Sequence, residues 1–278
     1  MTRRRSAGPS GSGMAGARRA TGFLSPTHRP RPSRPKASSA IAVFARSPVA
    51  GRAKTRLIPL LGPRAAAELQ SALILDTVAK VNQLAEQTVC WLFAAGGKIP
   101  EFPGRADWKL VAQRGRDLGE RLEVAFRRLL QSHTKAVIIG TDSPLLSPRL
   151  LRLALSEIRT CDAVLGPCPD GGFYLIGLAR EAPGLFRDVR LGSRHAFGDA
   201  RRALLGRGFS CSILPIVSDI DRPRDLKEIA KGMTRRPALR AASAALWAYL
   251  LGARPSRPHA GRMPAPPVTK PSKSSRRR

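Results

Sequence analysis

The chain has 278 residues, with 49 Lys and Arg against 19 Asp and Glu and a formal net charge of +30. A hydrophobic fraction of 42% supports a buried core and excludes a wholly disordered chain, and no apolar run reaches the roughly 20 residues needed to cross a bilayer. With no secretory h-region near its start, the sequence reads as a soluble, cytoplasmic protein built from one domain with tails.

Residues 1–39 hold nine Lys and Arg and no acid; residues 235–278 hold eleven and no acid. Most of the excess charge therefore lies outside residues 40–234, which are only moderately basic. Both ends are rich in Pro, Ser and Arg, and 1–39 and 254–278 are predicted to be disordered basic tails, unable to offset their ordering entropy. Their charge suits weak contact with nucleic acid or an anionic membrane, although no aromatics are interleaved for base stacking. Met14 lies inside the first tail and offers a later start. The four cysteines, Cys90, Cys161, Cys168 and Cys211, form no C-x-x-C pair, so a zinc finger is excluded and buried thiols in a reducing compartment are expected.

From Ile41 onward, short β-rich runs alternate with helical ones. Ile41–Ala45 predicts a buried strand followed by a loop to about Pro63, and Ala65–Leu84 a helix. Thr88–Ala95 and Trp108–Gln113 predict two more strands. Asp117–Gln131 predicts a helix opened by an Asp117–Glu120 capping box. A strand at Ala136–Gly140 precedes a helix over Ser147–Arg159, capped by its first residue. Ala163–Gly166 and Phe173–Leu178 read as strands around a Pro169-Asp-Gly-Gly172 turn. A helix over about 196–206, a strand at Ser212–Val217 and a short helix from Pro223 complete the core. Pro237–Gly252 has a helical apolar face with basic flanks, suited either to packing on the core or to a membrane surface. Continuous apolar strands between amphipathic helices predict an α/β, three-layer, Rossmann-like sandwich with a mostly parallel sheet. Ligands bind such sheets at the carboxyl ends of the strands.

The segments leaving the strands carry the chemistry. After the first strand, Arg46, Arg52, Lys54 and Arg56 surround a loop shaped by Pro48 and Gly51. The spacing is not that of a Walker A loop, but clustered cations there suit a phosphate clamp. After the third, Gly115 permits close backbone approach and Asp117 caps the next helix. After the fourth comes Thr141-Asp142-Ser143-Pro144. A carboxylate leaving a buried strand is costly unless it caps, pairs or holds a metal, and oxygen ligands of this kind suit Mg²⁺ or Mn²⁺. A second carboxylate is available at Asp219 or Asp221. The Gly171-Gly172 pair either makes a turn or brings backbone amides against a substrate.

The runs AVFARSPVAGRAKTRL, QRGRDLGERL, VIIGTDSPLL, GPCPDGGFYLIGL and DIDRPRDL, in this order over roughly residues 40–230, resemble the bacterial GT-A-like transferases related to arsenosugar-biosynthesis glycosyltransferases. More distantly they are similar to molybdenum-cofactor and phospholactate guanylyltransferases. The resemblance implies a nucleotide-diphospho-sugar-transferase (GT-A) fold with the nucleotide at the first-strand loop. By motif position it implies Arg46, Gly51, Lys54, Arg56, Gln113 and Gly115 at the nucleotide, Asp142 and Asp221 as metal ligands, and Gly171, Gly172 and Tyr174 at the acceptor. Asp142, Lys54 and Arg56 would then be catalytic, in transfer from a nucleoside-diphosphate sugar assisted by Mg²⁺ or Mn²⁺. Nucleotidyl transfer from an NTP to a small phosphorylated acceptor uses the same parts. A non-catalytic anion binder acting through the tails is the third reading. The stretch Arg190-Leu-Gly-Ser-Arg-His195 departs from the Trp-Ser-Thr-like turn of relatives, retaining only the Ser193 hydroxyl; His195 reads as a surface residue at a helix start.

Overall fold

The computed structural model describes residues 39–252; both predicted tails lie almost wholly outside them. Seven strands form one sheet: β1 (Ala40–Arg46), β2 (Val89–Ala95), β3 (Lys109–Ala112), β4 (Ala136–Ile139), β5 (Ala163–Pro167), β6 (Phe173–Leu178) and β7 (Cys211–Ile213), in the order β3-β2-β1-β4-β6-β5-β7. All neighbours run parallel except β6, which is antiparallel to both β4 and β5. The three-layer α/β sandwich is thus as the alternating pattern predicts.

The period-two geometry of β1 divides the core. Ile41, Val43 and Ala45 face helix α2 (Pro63–Asn82), through Ile74, Val78 and Val81, and helix α4 (Pro148–Glu157), through Leu151 and Ala154. Ala40 and Ala42 face the other layer, where α3 (Leu118–Ser132) presents Leu122, Phe126 and Leu129 and α5 (Ala196–Leu205) presents Ala200 and Leu204. Cys90, Ile41 and Val137 lie in line across the parallel β2, β1 and β4, so their carboxyl ends face one edge of the sheet; β1 and β2 end together at Arg46 and Ala95, and β4 ends at Ile139, opposite Val43. That edge is the floor of the cleft described below.

Several elements differ from their predicted extent. The loop after β1 contains a 3-10 turn at Thr55–Leu57 and a four-residue helix, α1 (Ile58–Leu61). The last strand is only Cys211–Ile213: Leu214 and Val217 still donate backbone bonds to Leu165 and Pro167, but the chain between them leaves the ladder at Pro215. The helix from Pro223 is long, α6 (Pro223–Arg235), with Leu226, Ile229 and Met233 buried. At α3, Asp117 caps the amide of Glu120 at 2.9 Å, but the Glu120 carboxylate reaches past Asp117 to the Arg116 amide and guanidinium, so only half of the predicted box forms.

The 237–252 segment is not one helix and not a free amphipathic face. It breaks at Ser243 into α7 (Pro237–Ala242) and α8 (Ala244–Leu250), and α8 packs on α2. Leu246 is fully buried with Leu69, Leu73, Ile220 and Met233. The break serves buried polar groups. Asp76 accepts from the amides of Ala245 and Leu246, while Lys80 donates to the Ser243 hydroxyl and the Pro144 carbonyl. Helix α2 is therefore covered on two sides, by the sheet and by the carboxyl-terminal helices, which explains its apolar residues almost all round. No described helix is long and apolar enough to cross a membrane.

Candidate active site

A cleft of about 560 Å³ opens over the carboxyl ends of β1 and β4 and the amino end of the antiparallel β6, within the size range of small-molecule sites. Cations line one rim: Arg46 at the end of β1, then Lys54 and Arg56, with Arg121 of α3. Four carboxylates line the other: Asp142 after β4, Asp170 before β6, and Asp219 and Asp221 after β7. Each strand end delivers one short segment, so residues more than 100 positions apart converge.

Lys54 is the joint between the rims. Its Nζ lies 2.8 Å from Asp142 Oδ1 and donates to the carbonyl of Ile220 at 2.6 Å, with only 4% of its side chain exposed. It is also the only non-glycine with positive φ among the described residues, at φ 47° and ψ 44°. A left-handed lysine costs about 1–2 kcal/mol; the two bonds of its ammonium group hold it there. The amide of Ile220 donates to the Asp142 carbonyl at 2.7 Å, locking the same two segments a second time. Arg56 pairs with Asp221, whose amide, like that of Arg222, donates to the Asp225 carboxylate at the start of α6.

Gln70 and Gln113 brace the rims from beneath. The Gln70 amide nitrogen donates to the Arg46 carbonyl and the Thr141 hydroxyl, tying the ends of β1 and β4. That of Gln113 donates to the carbonyls of Ala45 and Phe93, tying β1 and β2.

The acidic rim is electrostatically uneven. Asp142 and Asp221 each have a cation beside them. Asp219 instead faces other acids: burial first, then Asp170, Asp142 and Asp221, push its carboxyl up to about 6. Cys168, Asp170 and Asp219 offer three donor atoms within 4.8 Å of one another. Burial pushes the Cys168 thiol up, so it stands there as a neutral group. A half-buried carboxylate opposite three others fits a divalent cation, and the oxygen donors of Asp142, Asp170, Asp219 and Asp221 suit Mg²⁺ or Mn²⁺.

The structure brings most, not all, of the predicted site residues to the cleft. Arg46, Lys54, Arg56, Gln113, Asp142, Asp221, Gly172 and Tyr174 line it; Gly51, Gly115 and Gly171 do not. Gly115 (φ +137°) lies where a Cβ would sit 2.7 Å from the Arg121 amide, so it lets the loop close on α3. Gly171 (φ +88°) backs onto Arg194, whose carbonyl would be 2.0 Å from an added Cβ, and its own carbonyl accepts from the Phe197 amide. Its place is to seat the 190–195 loop. Tyr174 is 4% exposed; its ring covers Gly166 and its hydroxyl donates to the Pro215 carbonyl at 3.0 Å, leaving mainly its edge to the cleft. Ser193 lines the cleft while its hydroxyl donates to the Arg190 carbonyl. His195 caps α5, exposed and outside the cleft lining, as a residue at a helix start.

Sequence reasoning chose Asp221 over Asp219, and passed over Gln70, Asp170 and Arg121. Asp170 was hidden by the turn chemistry of its Pro-Asp-Gly-Gly context, and Gln70 by its helix. The usable signal was that a polar residue interrupts the apolar face of α2 about two turns from its start.

Comparisons with known proteins agree with this architecture. The model of a family described as "Uncharacterized protein conserved in bacteria (DUF2064)" matches residues 74–193. The chain is similar to a protein of Desulfovibrio desulfuricans G20 assigned as a nucleotide-diphospho-sugar transferase, with 25% identity, 78% of this chain and 95% of that one covered, and a TM-score of 0.69. More distant are CMP:2-keto-3-deoxy-manno-octonic acid synthetase in complex with CTP (12% identity, 72% and 99% covered, TM-score 0.47) and a cytidylyltransferase of Leptospira borgpetersenii (13%, 78% and 94%, 0.47). A search of curated protein sequences gave no match. The fold is that of the nucleotide-diphospho-sugar transferases.

Proposed function

We propose that the protein is an enzyme of the nucleotide-dependent transferase kind that moves a glycosyl group from a nucleoside-diphosphate sugar to a small acceptor, with Mg²⁺ or Mn²⁺ at its acidic rim. The observation that carries this reading is the cleft itself: four cations, Arg46, Lys54, Arg56 and Arg121, line it together with four carboxylates at the strand ends. That is the charge pattern a diphosphate bridged to a metal requires, and the likeness to the Desulfovibrio protein supports it.

In this reading Arg46 and Arg56 bind the diphosphate oxygens, and Lys54 keeps Asp142 facing the cleft while adding positive charge beside the departing group. Asp170 and Asp219, whose donor atoms lie within 4.8 Å of one another, would hold the cation together with Asp142, with Asp221 at its margin. When bound, the metal neutralises charge developing on the leaving diphosphate. Gln70 and Gln113 fix the spacing of the strand ends. Gly172 and the edge of Tyr174 offer a small surface to the acceptor, beside Ser193.

Nucleotidyl transfer from an NTP is the second reading, favoured by Arg52 and Arg121, which join Arg46 in a cavity beside the cleft and offer charge for a further phosphate. A thermal-shift panel of nucleoside-diphosphate sugars, NDPs and NTPs, each with and without Mn²⁺ or Mg²⁺, separates them, since a ligand of the native state raises the melting temperature. A metal-dependent shift with one nucleotide sugar supports glycosyl transfer and names the donor; a shift only with one NTP supports the second reading. No shift with any of them sinks both.

A further inference from the structure

Helices α6, α7 and α8 cover the side of α2 turned away from the sheet, and their own outward sides are of two kinds. On α6 the buried residues are Leu226, Ile229 and Met233. Arg224, Lys227, Lys231 and Arg235, spaced one helical turn apart, lie on the opposite side and are exposed. Arg224 has Asp225 at 3.3 Å, but among the described residues Lys227, Lys231 and Arg235 pair with no acid. Glu228 is the only exposed acid of the helix, and the exposed Arg236 extends the stripe to α7.

The outward side of α7 and α8 is apolar instead. Between Pro237 and Gly252 the only charged residue is Arg240, whose guanidinium lies 5.3 Å over the Trp247 ring. Leu246 of α8 is buried, while Ala244, Trp247, Ala248 and the following Leu251 share the opposite face. Leu251 is 66% exposed, and Ala238, Ala241, Ala242 and Ala244 are exposed with it. The solvent side of a surface helix normally carries charged and polar residues; here alanines, a leucine and an indole edge stand in their place.

One partner has to suit both halves. Nucleic acid would engage the stripe and leave the apolar face wet. A second copy of this chain would cover the apolar face and bring two cationic stripes together. An anionic bilayer takes both: its headgroups attract Lys and Arg, and Trp and Leu side chains enter the boundary between headgroups and acyl chains. The sequence after Gly252 adds charge of the same sign, with eight Lys and Arg and no acid in residues 253–278.

We infer that the outward sides of α6, α7 and α8 form a docking surface for an anionic lipid bilayer, with the α6 cations at the headgroups and Trp247 and Leu251 inserted. Docking there does not depend on what the cleft binds.

The test uses the full chain with vesicles of phosphatidylcholine containing about 30% phosphatidylglycerol, against phosphatidylcholine alone. Each Lys or Arg near an anionic surface is worth roughly a fivefold gain in partitioning. The exposed, unpaired set Lys227→Gln/Lys231→Gln/Arg235→Gln is therefore expected to weaken it at least about thirtyfold with the melting temperature unchanged, and Ala241→Asp/Leu251→Asp at least about tenfold. Because basic tails alone adsorb by charge, insertion is read separately. Trp91 and Trp108 are buried and Trp247 is not, so lipids with brominated acyl chains should quench Trp247, and Trp247→Phe should abolish the quenching. If the double variant fails to fold, the triple variant and the quenching decide. Parent-like partitioning of the folded variants, or partitioning without quenching, means that the tails carry the binding and overturns the docking surface, as does a parent that ignores the vesicles. Tighter binding to duplex DNA than to vesicles, lost in the triple variant, gives the stripe to nucleic acid; a dimer that Leu251→Asp dissociates gives the apolar face to a second copy. Either result overturns the bilayer as partner.

Discussion

Lys54 and Asp142 meet at 2.8 Å across two loops that leave different strands, and Lys54 adopts a left-handed backbone to do so. The lysine is almost wholly buried, whereas half of the aspartate side chain faces the cleft. Coulomb attraction of a half-exposed pair is screened, so the pair adds little stability. Its effect is on direction: the ammonium group fixes one oxygen of Asp142 and leaves the other to a ligand.

Asp142→Asn therefore keeps the fold, with a change of about 1 kcal/mol or less in stability, and loses at least tenfold in metal-dependent nucleotide affinity. Parallel melting curves and nucleotide titrations with Mn²⁺ check both parts. Nucleotide binding that survives unchanged in a folded variant removes Asp142 from the metal site.

Asp219 gives the site a pH dependence. Its carboxyl is raised to about 6 from 3.8, by burial and by the neighbouring acids. Between those values the folded protein keeps a proton that the unfolded chain releases. The stabilisation from this group is thus present on the acid side and lost as pH rises through 6. Without metal, Asp219→Asn should flatten that slope and melt about 2–4 °C higher at pH 7.5, about 1 kcal/mol after allowance for partial exposure. Metal affinity of the parent should fall by up to about tenfold per pH unit below 6, as protons compete for the ligand. A pH-independent metal titration between pH 5 and 7 contradicts this.

The α/β class and its mostly parallel sheet were legible because strand and helix periods differ and β1, β2 and β4 are continuous apolar runs; the strand order was not. The loops after β1, β4 and β7 could be picked out as ligand-bearing because strand ends face one edge. What a sequence does not carry is which acid meets which base across those loops. Asp219 and Asp221 are two residues apart and chemically equivalent on paper; only the fold gives Asp221 to Arg56 and leaves Asp219 among carboxylates. The break at Ser243 was equally hidden, since its cause is a buried Asp76 and Lys80 on a helix some 170 positions earlier.

That buried group supports a stability prediction. Asp76 is held by two amides of α8, and Lys80 by Ser243 and the Pro144 carbonyl, two residues beyond Asp142. Asp76→Ala strands two amides of α8 and removes the negative charge that favours the nearby Lys80 ammonium group, and is expected to cost about 3 kcal/mol, as for buried donors left unpaired. The double variant Asp76→Leu/Lys80→Met removes both charges and should recover much of the loss. Chemical denaturation of the three proteins tests this; a double variant no more stable than the single one refutes the charge coupling of the two residues.

Two of the glycines that motif position assigned to the site, but that do not line the cleft, respond differently to alanine. Gly51 and Gly171 both have positive φ, at +80° and +88°. An added Cβ at Gly51 meets nothing within 4 Å, so Gly51→Ala costs only backbone strain, about 1 kcal/mol. At Gly171 the same atom would sit 2.0 Å from the Arg194 carbonyl, which is backbone and cannot rotate away. Relief requires the 190–195 loop to lift, and that loop is pinned by Asp199, which pairs with both Arg190 and Arg202 and is only 4% exposed. Gly171→Ala should therefore cost about 3 kcal/mol or more and displace Ser193 from the cleft, whereas Gly51→Ala leaves it in place. Melting curves give the first difference, and protease sensitivity at Arg190 and Arg194 gives the second. Equal, small losses for both variants would falsify the seating role of Gly171 and return it to the acceptor surface, where its motif position had placed it.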